Sequence, residues 1–156
     1  MKRKKWTNQA RGLVHLIFFV LICGPAWSQE AYVGSDACMP CHQQEYDNFT
    51  KYARKNHSFQ SVVKMKKGLT SDELKGCYVC HTTGYGRPTG FVSVEQTPDL
   101  KDAGCEVCHG PGGTHIKSKD PADLLGKVTI DICQKCHTQE RVSAFRYKPM
   151  VHGGAH

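Results

Sequence analysis

Four copies of C-x-x-C-H run through the chain, at Cys38–His42, Cys77–His81, Cys105–His109 and Cys133–His137. In each, two thiols stand three residues apart, about one helical turn, and a histidine follows the second. Thiols so spaced can add to the two vinyl groups of one haem as thioethers. The adjacent imidazole then lies under the iron as its proximal ligand. Covalent attachment would fall to Cys38, Cys41, Cys77, Cys80, Cys105, Cys108, Cys133 and Cys136. Proximal ligation would fall to His42, His81, His109 and His137. Rival chemistries leave part of the pattern unexplained. Two four-thiolate zinc sites, or four disulfides, give no role to the histidine after every second cysteine. A redox C-x-x-C dithiol normally stands once, near a βαβ pattern that this chain lacks.

Four further histidines after residue 28, His57, His115, His152 and His156, are candidates for the opposite face of each iron. Four irons and four spare imidazoles permit two histidines on each. The alternative for any one of them is a surface or propionate-contacting histidine. His156 is the last residue and prone to fraying. That leaves room for one five-coordinate iron, or for a thioether ligand from Met65 or Met150; Met39 lies inside a motif and is the weaker candidate. His115 stands six residues past His109, so reaching around its own haem edge would be strained. It is expected to serve a neighbouring haem.

The elements that position these residues begin after a leader. Lys2, Arg3, Lys4, Lys5 and Arg11 precede an apolar run over 12–24 that is short for a bilayer span, and Pro25-Ala26-Trp27-Ser28 offers a cleavage site. This reads as a secretory signal peptide over 1–28, without a twin-arginine pair, followed by one tetrahaem domain over 29–156. Cleavage would remove Cys23, leaving eight cysteines to fill four motifs. It would also remove five of the 21 basic residues and none of the 14 acids, leaving a net charge of +2. The basic pI is therefore poor support for a nucleic-acid partner, and none is expected. No stable membrane anchor is expected after cleavage.

Both tryptophans fall in the leader, and 128 residues of modest aliphatic content build only a thin core. Haem would fill the interior, at about 32 residues for each of four. Eight ionised propionates would take the net charge to about −6. The expected fold is mainly α with extensive irregular loops, the polypeptide wrapped around four covalently bound haems. Helices are expected over 43–56 and 59–67, and from a Thr70/Glu73 capping box into Cys77–His81. Thr82–Gly90 is Gly-rich loop whose glycines could let backbone approach a porphyrin face. Phe91–Glu95 is the best strand candidate. Thr97-Pro98 marks a helix start, Gly110–Gly113 a turn, Lys117–Asp120 polar loop, and Asp120-Pro121 a short helix through Leu125. The last motif rides on Ile130–His137.

The run from Cys77 carries a further resemblance. C-x-x-C-H followed by T-T-G-Y-G and G-F-V-S, then G-C-E-V-C-H-G-P-G-G-T-H, resembles the tetrahaem cytochrome c-554 family. An aromatic helix and N-H-S after the first motif, and F-x-Y with a near-terminal histidine after the last, fit it as well. The resemblance covers roughly 32–152. It implies a mainly helical fold with haems in closely stacked pairs. It also implies two histidines on most irons and one high-spin iron with an open face. His57, His115 and His152 match positions of distal ligands. The family shuttles electrons in the periplasm, and its namesake accepts them from hydroxylamine oxidoreductase. The expected function is thus a periplasmic electron carrier rather than an enzyme, passing electrons between donor and acceptor proteins. Two rivals come from other classes. One is a small multihaem reductase of nitrogen oxides at an open iron. The other is a subunit of an extracellular cytochrome filament, in which His152 or His156 would ligate a haem of the next subunit.

Overall fold

The computed structural model describes residues 30–138, 140 and 141. The leader with its cleavage site, and Met150, His152 and His156, lie outside the described residues. The architecture is helical, with no strand among the described residues. Among the described residues, six short α-helices are interspersed with 3-10 turns and long irregular connections.

Helix α1, Gln43–Tyr52, follows the first motif directly and buries Phe49. It is tied back to the motif by Tyr46, whose hydroxyl donates to Asp36 at 2.6 Å. That bond is the main reason the phenol is pushed up to about 12. The helix ends four residues earlier than its pattern suggests. Ala53 closes the last bond onto the Phe49 carbonyl, and its ψ of 111° then leaves the helical region. Ala53 is thereby buried, and Arg54–His57 continues as a 3-10 turn. Helix α2, Phe59–Met65, gives way to a 3-10 turn at Lys66–Gly68 rather than continuing through Lys67.

Helix α3, Ser71–His81, delivers the second motif on its last turn and packs against α2. Its capping box forms as expected. The Glu73 carboxylate accepts from the Thr70 amide at 2.8 Å, and the Glu73 amide donates to Thr70 Oγ1 at 3.4 Å. These bonds from Thr70 hold Glu73 below the usual carboxylate value. Thr70→Ala removes the cap, and the expected cost is about 1 kcal/mol. Chemical denaturation followed by circular dichroism measures it.

Past α3 the chain folds on side-chain hydroxyls rather than on a ladder. Thr82 and Thr83 are almost wholly buried. Thr82 Oγ1 donates to the Tyr78 carbonyl, and Thr83 Oγ1 donates to the Asp102 carbonyl at 2.6 Å while accepting from the Gly104 amide. The expected strand at Phe91–Glu95 is absent. Phe91 N–H donates to the Thr83 carbonyl, but the next amide, Val92, is taken by Thr97 Oγ1, so no ladder extends. Thr97-Pro98 opens only a 3-10 turn, Pro98–Leu100.

Two glycines of the 82–90 loop are required by close approach. A Cβ at Gly90 would fall 1.8 Å from the Gly84 carbonyl oxygen, and one at Gly84, where φ is 71°, would enter the Tyr32 ring. Their neighbours are the loop's own backbone and an aromatic ring. The core nearby is small and aromatic. Phe59, Tyr78 and Phe91 lie 5.3–5.9 Å apart between centroids, with Tyr85 edge-on to Tyr78.

Helix α4, Glu106–His109, is one turn of the third motif. Helix α5, Gly113–Ser118, occupies part of what reads as a polar loop. Its first residue must be glycine, because the Ala31 carbonyl would lie 2.8 Å from any Cβ there. The expected helix through Leu125 is a 3-10 turn, Pro121–Asp123. Leu124 is extended, and the Leu125 amide turns away to the His109 carbonyl. Helix α6, Ile130–Gln134, carries the fourth motif and ends before Cys136.

Candidate haem sites

Each C-x-x-C-H forms a tight turn in which the histidine N–H bonds back to the carbonyl of a residue at or near the first cysteine. His42 donates to Cys38, His109 to Cys105 and His137 to Cys133. In the second motif the continuous helix α3 serves the same end. Both thiols and the imidazole thus issue from one turn of backbone. The eight motif cysteines form no disulfide with one another, and Cys133 is the buried one.

Three histidines have their ring orientation fixed by backbone carbonyls. His81 Nδ1 lies 2.9 Å from the Ser58 carbonyl, His109 Nδ1 2.8 Å from that of Leu125, and His115 Nδ1 2.9 Å from that of Asp120. A carbonyl can only accept, so Nδ1 carries the proton in each. The lone pair is then on Nε2, the nitrogen a metal would use, and the bond makes such a ligand more basic. Burial, with a smaller effect from Lys55, lowers the pKa of His137 and favours its neutral form, the form that ligates.

Two of the predicted ligands meet. The rings of His42 and His115 stand 6.2 Å apart between centroids and are inclined by 31°. Two imidazoles on opposite sides of one iron would have centroids about 6.3 Å apart, given metal–nitrogen bonds of about 2.0–2.1 Å and about 1.1 Å from nitrogen to ring centre. The spacing fits an iron between them. Helix α5 thus carries His115 away from the third motif to the first. His57 lies exposed at the end of the 3-10 turn after α1. Met65 is exposed on α2 and Met39 at the first motif.

Thiols of different motifs also approach each other. Cys38 of the first is hydrogen-bonded to Cys105 of the third, and Cys80 of the second to Cys136 of the fourth. In the first pair the proton stays on Cys38. Its hydrogen bond brings Cys105 down to about 6, with help from Ser35 and His109 and against burial. In the second pair burial and the Cys80 contact push Cys136 up to about 12. Arg141 Nη1 stands 3.3 Å from Cys80 Sγ. Cys108 of the third motif also acts on Cys133 and Cys136 of the fourth, so the third motif neighbours both the first and the fourth. Among the described residues, no three His, Cys, Asp or Glu converge to hold a metal ion directly.

Two supporting residues escaped the sequence reading. Glu106 occupies a variable position inside C-E-V-C-H, yet it is only 4 % exposed. Its carboxylate accepts from the amides of Val33 and Gly34, at 3.1 and 2.9 Å, and from Gly112 at 2.7 Å. It joins the lead-in of the first motif to the third and to the start of α5. Ser58 is the other. Its carbonyl holds the His81 ring, while its hydroxyl donates to the His81 carbonyl and accepts from the Ala103 amide. The sole hint in sequence was the Asn56-His57-Ser58 triplet, which had pointed to its histidine instead.

Comparison with known proteins finds multihaem cytochromes. The family model described as "Cytochrome c554 and c-prime" matches residues 37–110. Cytochrome c-554 of Nitrosomonas europaea is 32 % identical over 86 % of this chain and 66 % of its own length. The multihaem cytochrome MtrC of Shewanella baltica is 28 % identical over 51 % of this chain and 16 % of its own. The chain thus spans just under two thirds of the first relative and a small part of the second. Among solved structures, reduced cytochrome c554 from Nitrosomonas europaea shares the fold, with a TM-score of 0.58 over 83 % of this chain and 86 % of that one, at 21 % identity.

Proposed function

We propose that this chain, which belongs to the cytochrome c-554 family of multihaem c-type electron carriers, holds four haems and passes electrons between partner proteins outside the cytoplasm. Haem supplies an iron that gains or loses one electron without atoms being transferred. The residues do the rest. Eight cysteines fix the groups covalently, and His42, His81, His109 and His137 provide the proximal imidazoles. His115 would share with His42 the iron held by the first motif, and His57 and His152 are the distal candidates elsewhere, with His156 the weakest of the four. The observation that carries the reading is the His42–His115 separation of 6.2 Å. It supports a histidine from beyond the third motif sharing an iron with the first. Imidazole pairs favour lower potentials than a His/Met set.

The leader over 1–28 supports export to the periplasm, and a location beyond the cell surface is the alternative. No helix among the described residues is long and apolar enough to cross a membrane. The reductase and filament readings gain no specific observation. Mass spectrometry of the purified holoprotein, with a pyridine haemochrome assay, tests the proposal. Four haems per chain beginning at residue 29 are expected, and a ratio well below four overturns it.

A further inference from the structure

We infer that the segment Asn48–Ser71 forms a docking face for an acidic redox-partner protein, set over the second and fourth motifs; this rests on the electron-carrier reading above. The segment carries Lys51, Arg54, Lys55, Lys64, Lys66 and Lys67 and not one Asp or Glu. The rest of residues 29–156 has ten basic residues against 14 acids. The charge of the domain is therefore divided, and a strongly positive stretch lies in an otherwise negative chain. Among the six, all but Lys55 are exposed. Two acids from elsewhere approach. Asp102 is engaged by the Phe59 amide at 2.9 Å, and Glu95 feels the charge of Lys66 from an exposed position. They do not reverse the sign.

The same stretch exposes apolar surface. Tyr52, Val63 and Met65 are each more than half exposed, with Lys51 over the Tyr52 ring at 5.0 Å. Apolar side chains rimmed by cations suit a transient protein interface. The charges steer the encounter and set orientation, and the apolar centre excludes water. A partner there would lie close to two attachment sites. Ser58, inside the segment, holds the His81 ring through its carbonyl. Helix α2 packs on α3, which carries Cys77, Cys80 and His81. Arg141, just past the fourth motif, reaches Cys80 Sγ of the second at 3.3 Å, which brings the end of the fourth motif to the same side.

The test compares wild-type holoprotein with Lys64→Glu/Lys66→Glu/Lys67→Glu, and with Lys117→Glu/Lys119→Glu/Lys127→Glu as a control of equal charge change on exposed residues elsewhere. Polyaspartate serves as the acidic probe. Its binding is measured by calorimetry at several salt concentrations, and oxidation of the reduced protein by the ferricyanide anion is followed by stopped flow. Wild type and control should bind polyaspartate and lose it as salt rises. The face variant should bind about tenfold or more weakly and react with ferricyanide more slowly by a similar factor. Equal losses in the two variants overturn the proposal, as does an unchanged face variant. Capture of the wild type by phosphatidylglycerol vesicles at a salt concentration that abolishes polyaspartate binding overturns it in favour of a membrane surface. A holoprotein with no dithionite-dependent change in its spectrum overturns the electron-carrier reading itself, whatever the polyaspartate result.

Discussion

His115→Ala should yield one more high-spin ferric haem per chain than the wild type. The His115 ring faces His42 across 6.2 Å, and its orientation is locked by the Asp120 carbonyl. Truncation removes that imidazole and would leave the iron of the first motif with His42 alone. Electron paramagnetic resonance of the ferric protein reads the loss of one low-spin signal. Binding of added imidazole at one new site per chain should restore it. The potential of that haem should rise, since one strong nitrogen donor is lost. Covalent haem content should not change, because the cysteines are untouched. A spectrum identical to wild type would mean that His115 does not ligate.

Glu106→Ala should be the most destabilising single change in the described structure that leaves every haem ligand in place. The carboxylate gathers the amides of Val33, Gly34 and Gly112 in a site almost closed to water. Alanine leaves three N–H groups without their acceptor and a void where the side chain stood. The expected cost is about 3 kcal/mol or more, with each orphaned buried group contributing on the order of 1–3 kcal/mol before relaxation. Glu106→Gln keeps the shape but turns one acceptor into a donor facing donors, and about 2 kcal/mol is expected. Guanidinium unfolding of the holoproteins ranks the three. If Gln and wild type unfold together, the carboxylate is not what holds the lead-in to the third motif.

The sequence made local features legible and left long-range ones hidden. Thr70 and Glu73 are three residues apart, and their reciprocal bonds need nothing beyond that spacing; the cap is found as expected. The helical character and the four motifs follow equally from near neighbours. The strand expected at Phe91–Glu95 does not form, because a strand needs a partner and the Val92 amide finds Thr97 instead. Helix α5 was hidden by its first residue, Gly113, a residue that disfavours helix but is required there by the approach of Ala31. Glu106 could not be singled out, since a residue between the two cysteines reads as a spacer until the backbone 72 residues earlier is seen against it. The strain expected for His115 about its own haem is consistent with a destination elsewhere, but nothing in the sequence pointed to His42.

The bonds around Glu106 also bear on the order in which the molecule is made. The amides of Val33 and Gly34 find their acceptor 73 and 72 residues further on. Ser58 waits 23 residues for His81 and 45 for Ala103. Closures of that length are slow and come late compared with helical turns. A chain growing from its N-terminus therefore presents the first motif on an unanchored segment until the third has followed it. Throughout that interval Cys38 and Cys41 are open to covalent chemistry, before Cys105 arrives beside Cys38. The fold is arranged so that modification can precede closure.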